Sequence, residues 1–224
     1  MRSARGRRPD LARAAARLAR LLGLDECVLV GGLAVGVHGY VRATDDLDFV
    51  NRQALVEARE RLRKAGIETR RSRGDALDGG FSCLKGEIDG FPFDVLPPLV
   101  PIAWDQALTL EIGGGTLRVV DLDGLLQLKF RAGGPQDLLD VARLVLRHPG
   151  SETRAKELAT AYRSLDRFEA CLRDPRILVQ AREDAEREAR RAKKPARETR
   201  SGSAVRSRSR QSRASSHPGP FSRP

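Results

Sequence analysis

The segment LVGGLAVGVHGYVRATDDLDFV, residues 29–50, places two glycines and three aspartates beside short apolar runs. The apolar run ECVLVGG ends in glycine, which is typical of a buried strand that meets a tight turn. LAVGVHGY is short and apolar and predicts a helix packed on that strand. DLDFVN alternates acidic and apolar residues, which is the period of a strand. The segment therefore predicts strand, helix and strand, with the acidic residues gathered at the second strand.

The acidic residues of this segment suit a divalent metal. Side chains two apart on a strand share a face, so Asp46 and Asp48 project together while Leu47 and Phe49 point into the core. Two adjacent carboxylates repel each other unless a cation lies between them, and carboxylate oxygens suit Mg²⁺. Asp94, in the apolar run FPFDVL, is a third carboxylate of the right type, because a lone buried Asp is costly. The sequence thus predicts a Mg²⁺ site formed by Asp46, Asp48 and Asp94.

The paired glycines predict a phosphate contact. Gly31 and Gly32 let backbone amides approach an anion at the start of a helix, whose N-terminal end favours negative charge. Glycines after a strand are weak evidence alone, but here Asp46 follows after a gap of thirteen residues and Asp48 and Asp94 complete the pattern. A phosphate cradle beside metal carboxylates indicates phosphoryl or nucleotidyl transfer by a two-metal mechanism.

Around this segment the chain divides into four parts. Residues 1–24 contain an amphipathic helix, residues 25–121 form a β-rich core with interleaved helices, and residues 122–192 are helical. A last helical stretch is expected from about residue 167 to residue 192. Residues 193–224 are rich in Ser, Arg, Gly and Pro and are predicted to be disordered. The predicted fold class is α/β, a mixed sheet with flanking helices.

Charge is unevenly distributed along the chain. The net charge is +11, yet residues 189–224 hold eleven Lys and Arg against one acid, and residues 21–188 have a net charge of −5. The body is therefore not a basic nucleic-acid-binding domain, although the tail has the composition of an RNA-binding extension. No run is apolar enough for a membrane span or a secretory signal, so we expect a cytoplasmic protein without membrane contact. The three cysteines lack metal-ligand spacing, which predicts reduced, partly buried thiols.

The motifs VGG, RATDDLDF and FDVL together resemble the nucleotidyltransferase superfamily that includes DNA polymerase β. Within it, residues 26–147 are similar to the abortive-infection toxins of the AbiEii/AbiGii type and related minimal nucleotidyltransferases. The resemblance implies a nucleotidyltransferase-type fold in which Asp46 and Asp48 bind Mg²⁺ and Asp94 activates the attacking hydroxyl. It implies that Gly31 and Gly32 hold the triphosphate of an NTP. It also implies tRNA as a candidate acceptor and a cognate antitoxin as a candidate partner.

The helical segment LLQLKFRAGGPQDLLDVARLV carries the toxin-like part of the resemblance. The toxin-like group has a Lys on a helix followed by an Asp-containing helix, which matches Lys129, Asp137 and Asp140. The resemblance implies that Lys129 neutralises phosphate charge and that Asp137 belongs to the substrate site. On chemistry alone Lys129 is also compatible with a surface lysine, Asp137 with a first-turn residue favoured by the helix dipole, and Asp140 with a partner of Arg143.

For Arg42 and Thr44 two interpretations remain open, and for Asp45 and His38 we expect structural roles. Arg42 and Thr44 precede the acidic residues and either contact substrate phosphate or cap the strand. Asp45 should face away from Asp46 and is assigned to the strand edge or to a contact with Arg42. His38 lies in an apolar helix, which predicts a structural histidine.

Two other functions fit the same sequence. The first is a non-catalytic nucleotide- or RNA-binding module that acts through its basic tail. The second is a metal-dependent phosphohydrolase, which would need a water-positioning base, and no His is placed for that role. The combination of Asp46, Asp48 and Asp94 favours Mg²⁺-dependent transfer of a nucleoside monophosphate from an NTP to a hydroxyl.

Overall fold

The structure is a computed structural model that describes residues 10–73 and 82–192. The tail of residues 193–224, with its predicted disorder and RNA contact, lies outside the described residues.

Seven strands form one mixed sheet. The strands are β1 (Cys27–Val30), β2 (Leu47–Asn51), β3 (Thr69–Arg73), β4 (Ser82–Ile88), β5 (Phe91–Leu96), β6 (Leu108–Ile112) and β7 (Gly115–Val119). Their order across the sheet is β3-β4-β5-β2-β1-β7-β6. The β1–β7 and β2–β5 pairs are parallel, and the other neighbours are antiparallel. The predicted α/β class, a mixed sheet with flanking helices and a helical C-terminal region, is confirmed.

Eight α-helices surround or follow the sheet in the described residues. They are α1 (Leu11–Leu22), α2 (Gly31–Val37), α3 (Leu55–Lys64), α4 (Leu122–Ala132), α5 (Pro135–Arg147), α6 (Glu152–Ala161), α7 (Leu165–Arg173) and α8 (Pro175–Ala192). The helical stretch expected over residues 167–192 is divided into two helices, α7 and α8. Pro175 divides it, because a residue before proline is disfavoured in the helical region, and Asp174 accordingly has an extended backbone with ψ of 119°.

The side-chain alternation of β1 and β2 decides which face of the sheet carries the acidic residues. The buried thiol of Cys27 bonds the carbonyl of Ala19 on α1 at 3.6 Å, so Cys27 and Leu29 face α1. Leu29 is paired with Phe49 across the antiparallel ladder, so Phe49 also faces α1. Asp48 must then point to the opposite face.

The polar and cysteine residues of the core agree with the sequence analysis. Burial raises the pKa of the Cys27 thiol to about 12, and Cys27, Cys83 and Cys171 are all free cysteines. Nε2 of His38 lies 2.8 Å from the carbonyl oxygen of Val120, as expected for a structural histidine. Within the described ranges, every helix is too short or too polar to cross a membrane.

Candidate active site

The three predicted carboxylates lie together at one end of β2. Asp48 and Asp94 are direct register partners on the parallel strands β2 and β5, so their side chains stand side by side on one face. Asp46 immediately precedes β2 and is exposed. Asp46 is close enough to Asp48 for their negative charges to interact, so it belongs to the same cluster.

The charge of this cluster is incompletely neutralised. Burial, followed by the negative charges of Asp46 and Asp94, raises the pKa of Asp48 to about 7. The positive charges of Lys129 and Lys85 oppose this rise but do not cancel it. An additional cation next to Asp48 would therefore be favoured, because it would relieve the repulsion between the carboxylates.

Gly31 leaves room for the Asp48 carboxylate. A Cβ atom at Gly31 would lie 2.0 Å from Oδ2 of Asp48, and Gly31 has a positive φ of 65°. At Gly32 a Cβ would lie 2.6 Å from Oγ1 of Thr44 and 3.0 Å from Nη2 of Arg42. Both glycines thus lie against the predicted site residues, at the N-terminal end of α2. Their contact with phosphate stays a prediction.

Two of the three carboxylates are bound by neighbouring side chains. Thr44 donates a hydrogen bond from Oγ1 to Oδ1 of Asp46 at 2.7 Å. Nζ of Lys85 contacts Oδ2 of Asp94, its register partner on β4. In residues 10–73 and 82–192, no group of three or more His, Cys, Asp or Glu side chains is arranged so that it could hold a metal ion. Lys85 was not among the predicted site residues. The alternation of Lys85 with Cys83 in FSCLKGEID was the signal that could have indicated its position on a strand.

A cavity of about 440 Å³ opens beside these residues. Its polar lining includes Asp48, Lys85, Asp94, Lys129 and Asp137. Its apolar lining is formed by Leu96, Leu99, Leu125 and Leu128. A larger groove of about 1250 Å³ runs along α1 but is lined by none of the predicted site residues. The smaller cavity is therefore the candidate substrate cavity, since it joins Asp48 and Asp94 to Gly31 and to α4, although Asp46 is not among the residues that line it.

A buried ion-pair network forms the α4–α5 side of this cavity. Asp140 is fully buried and contacts Nζ of Lys129 at 2.9 Å and Nε of Arg42 at 3.1 Å. Lys129 also bonds Asp137 at 2.7 Å. Burial alone would lower the pKa of Lys129, but Asp137 and Asp140 raise it, so the ammonium stays charged. The network links α4, α5 and the segment before β2.

This network changes three of the sequence interpretations. Arg42 binds Asp140 rather than Asp45, and the surface-lysine interpretation of Lys129 is wrong because its side chain is only 8% exposed. Arg143, the partner considered for Asp140, instead bonds Gln180 at 2.8 Å. Asp137 also accepts a hydrogen bond from the Gly134 amide at 3.2 Å, so it caps α5 as well as binding Lys129.

Comparison with solved structures finds distant likenesses only. The chain is similar to ANT(2'')-Ia in complex with adenylyl-2''-tobramycin, at 18% identity and a TM-score of 0.46, over 66% of this chain and 97% of that one. It is similar to JHP933 from Helicobacter pylori, at 14% identity and a TM-score of 0.39, over 80% of this chain and 93% of that one. It is also similar to an antigenic nucleotidyltransferase-like protein from Paracoccidioides brasiliensis, at 14% identity and a TM-score of 0.39, over 67% of this chain and 90% of that one. No protein-family profile and no curated protein matches the chain.

At these values the activity has to be argued from the chain's own residues. Asp48, Asp94, Gly31 and Lys129 all line one cavity, although they come from four separate elements, β2, β5, α2 and α4. Such convergence of charged groups on one cavity is typical of a functional site.

Replacing Gly31 with Ala should displace Asp48 and destabilise the fold. The methyl group would overlap the carboxylate, and a positive φ costs a non-glycine residue roughly 1–2 kcal/mol. We expect a loss of at least about that size in the free energy of unfolding, measured by urea titration. Gly36→Ala is the matched control, because Gly36 lies in the same helix with open space at its Cβ and should be neutral or slightly stabilising. Equal losses in the two variants would contradict the steric interpretation.

Proposed function

We propose that this protein is a nucleotidyltransferase that moves a nucleoside monophosphate from an NTP to a hydroxyl acceptor and depends on Mg²⁺. The observation that carries the proposal is the side-by-side placement of Asp48 and Asp94 on parallel strands, with Asp46 at the strand start and Gly31 against Asp48. Carboxylates so placed, next to a cavity with Lys129 on its wall, suit the transfer of a phosphate-bearing group.

Asp46, Asp48 and Asp94 are the residues that would hold Mg²⁺. The donor set fits the ion, because Mg²⁺ prefers hard carboxylate oxygens. The pKa of Asp48 is raised first by burial and then by the negative charges of Asp46 and Asp94, which a divalent cation would neutralise. Bound there, the ion would supply charge neutralisation to the triphosphate and to the leaving pyrophosphate. Asp94 would have to release Lys85 to join the set.

Side chains and backbone of the chain itself carry out the rest of the transfer step. The acceptor hydroxyl gives its proton to the Asp94 carboxylate, its oxygen bonds the α-phosphorus of the NTP, and the bond from that phosphorus to pyrophosphate breaks. Gly31 and Gly32 allow the triphosphate to approach the backbone. Lys129, held in position by Asp137 and Asp140, contributes positive charge at the cavity wall. Arg42 and Thr44 act mainly by positioning Asp140 and Asp46.

The finer assignments extend the same proposal. By resemblance to AbiEii-type toxins, the acceptor is tRNA, the protein acts in the cytoplasm and a cognate antitoxin is the partner. The Arg-rich composition of residues 193–224 supports an RNA acceptor, because positive charges attract the phosphate backbone.

A transfer assay tests the proposal directly. Purified protein is incubated with each α-³²P-labelled NTP, Mg²⁺ and total RNA, and label in RNA is measured with and without EDTA. Label in RNA that disappears with EDTA is the expected result, and it identifies the donor and the acceptor class together. Label in protein or in a small molecule would replace the tRNA assignment. Loss of RNA binding on deletion of residues 193–224, with no transfer to any acceptor, would favour the non-catalytic binding module.

A further inference from the structure

Lys85 forms an ion pair with Asp94, one of the three proposed metal ligands. It is the register partner of Asp94 on the neighbouring antiparallel strand, and its ammonium contacts Oδ2 of Asp94 directly. The two side chains are 36% and 29% exposed, and both line the candidate substrate cavity. The ion pair is therefore within reach of ions and substrates that enter the cavity.

The contact has a direct electrostatic consequence for the three carboxylates. A lysine ammonium is a compact point charge that attracts the same carboxylate oxygens as a divalent cation. While Lys85 holds Oδ2 of Asp94, that oxygen is occupied and a metal ion would have to displace the ammonium to bind it. The absence of a compact set of three metal-ligating side chains in the described ranges agrees with this arrangement.

We infer that Lys85 is the resident counter-ion of the candidate metal site and competes with the divalent cation for Asp94. Cation binding replaces the ammonium at Asp94, and this exchange weakens metal affinity in the free protein. The inference rests on the proposed function, since it takes Asp46, Asp48 and Asp94 as the metal ligands. Lys85 is in this respect a positioning residue that acts through Asp94.

Direct measurement of metal binding separates this inference from activity. Mn²⁺ serves as the probe, because the signal of free Mn²⁺ in electron paramagnetic resonance reports binding without any nucleotide. Lys85→Met should lower the Kd for Mn²⁺ by about tenfold, since it removes one positive charge a few ångströms from the ion. Lys85→Gln gives a second neutral variant, and Lys85→Arg, which keeps the charge, should stay near wild type.

A matched control comes from a lysine in an ion pair elsewhere. Nζ of Lys156 contacts Glu152 at 2.6 Å on α6, with side chains 46% and 48% exposed. Lys156→Met makes the same chemical change outside the candidate site, so its Kd for Mn²⁺ should equal that of wild type. Thermal unfolding of each variant confirms that the compared proteins are folded.

Three patterns of Mn²⁺ affinity across the variants can be distinguished. Tighter Mn²⁺ binding by both neutral Lys85 variants, but not by Lys85→Arg or Lys156→Met, supports the inference. Wild-type binding with unchanged or weaker affinity in the neutral variants overturns it and leaves the proposed function standing. Absence of Mn²⁺ binding from every variant, Lys85→Met included, overturns both the inference and the metal site of the proposed function.

Discussion

Asp48→Asn should reduce the rate of nucleotidyl transfer by roughly a thousandfold or more. A metal ion at a phosphoryl centre supplies several kcal/mol of charge stabilisation, and each 1.4 kcal/mol corresponds to about a factor of ten in rate. Asp48 stands beside Asp94 in the parallel register and touches the space that Gly31 leaves open, so its loss removes the central carboxylate of the site. The measurement is the initial rate of α-³²P transfer at saturating NTP and Mg²⁺.

Asp45→Asn is the matched control for this variant. Asp45 is exposed, lies in the loop just before β2 and should face away from Asp46, so the same loss of charge there should leave the rate within a few-fold of wild type. A large loss in Asp45→Asn, or a small one in Asp48→Asn, would contradict the assigned roles of the aspartates.

Folding stability gives Asp48→Asn a second readout in the absence of metal. The pKa of Asp48 is raised from 3.8 to about 7, so the folded protein binds this proton more tightly than the unfolded chain. Wild-type stability therefore falls as pH rises from about 4 to 7, and the full penalty is present above pH 7. Asn carries no such penalty. In EDTA the variant should have a higher Tm than wild type at pH 8, with the difference shrinking toward pH 4. A lower Tm at pH 8 would show that burial and the charges of Asp46 and Asp94 do not disfavour the ionised Asp48 carboxylate.

Asp140→Asn should destabilise the fold by roughly 3–5 kcal/mol, the range found when one partner of a buried ion pair is removed. Asp140 is fully buried and contacts Lys129, Arg42 and Gln136 at 2.8–3.1 Å. The neutral amide leaves the charges of Lys129 and Arg42 with less compensation inside the protein. Urea titration with a constant m-value would measure the change in the free energy of unfolding.

Asp123→Asn provides the comparison on the protein surface. Asp123 pairs with Arg154 at 2.7 Å, but both side chains are more than 40% exposed, so this pair should contribute at most about 1 kcal/mol. The predicted difference between the two variants thus comes from burial and not from the pairing itself. Similar losses in Asp140→Asn and Asp123→Asn would show that the network of Lys129 is no more important than a surface ion pair.

Local patterns in the sequence were enough to predict the parts of the site that depend on period and residue type. Acid–apolar alternation in DLDFVN placed Asp48 on a strand with its side chain away from Phe49, and the structure agrees. The glycines after β1 predicted a tight turn at the end of that strand, and Gly31 directly follows β1 with a positive φ of 65°. These features are local, because a strand's period and a glycine's missing side chain act within a few residues.

Contacts between distant segments were decided only in the tertiary structure. Arg42 and Asp140 are 98 residues apart, and helical spacing within α5 pointed to Arg143 instead of Arg42. The partner of Asp94 depends on the register of β4 against β5, which places Lys85 opposite it. Register and helix docking follow from burying the apolar faces of the whole sheet, so they cannot be inferred from any one segment. The sequence by itself determined that Asp48 lies on a strand and points away from Phe49. The packing of the sheet placed Asp94 beside it, and the packing of the sheet and of α4 and α5 decided which cations neutralise the carboxylates.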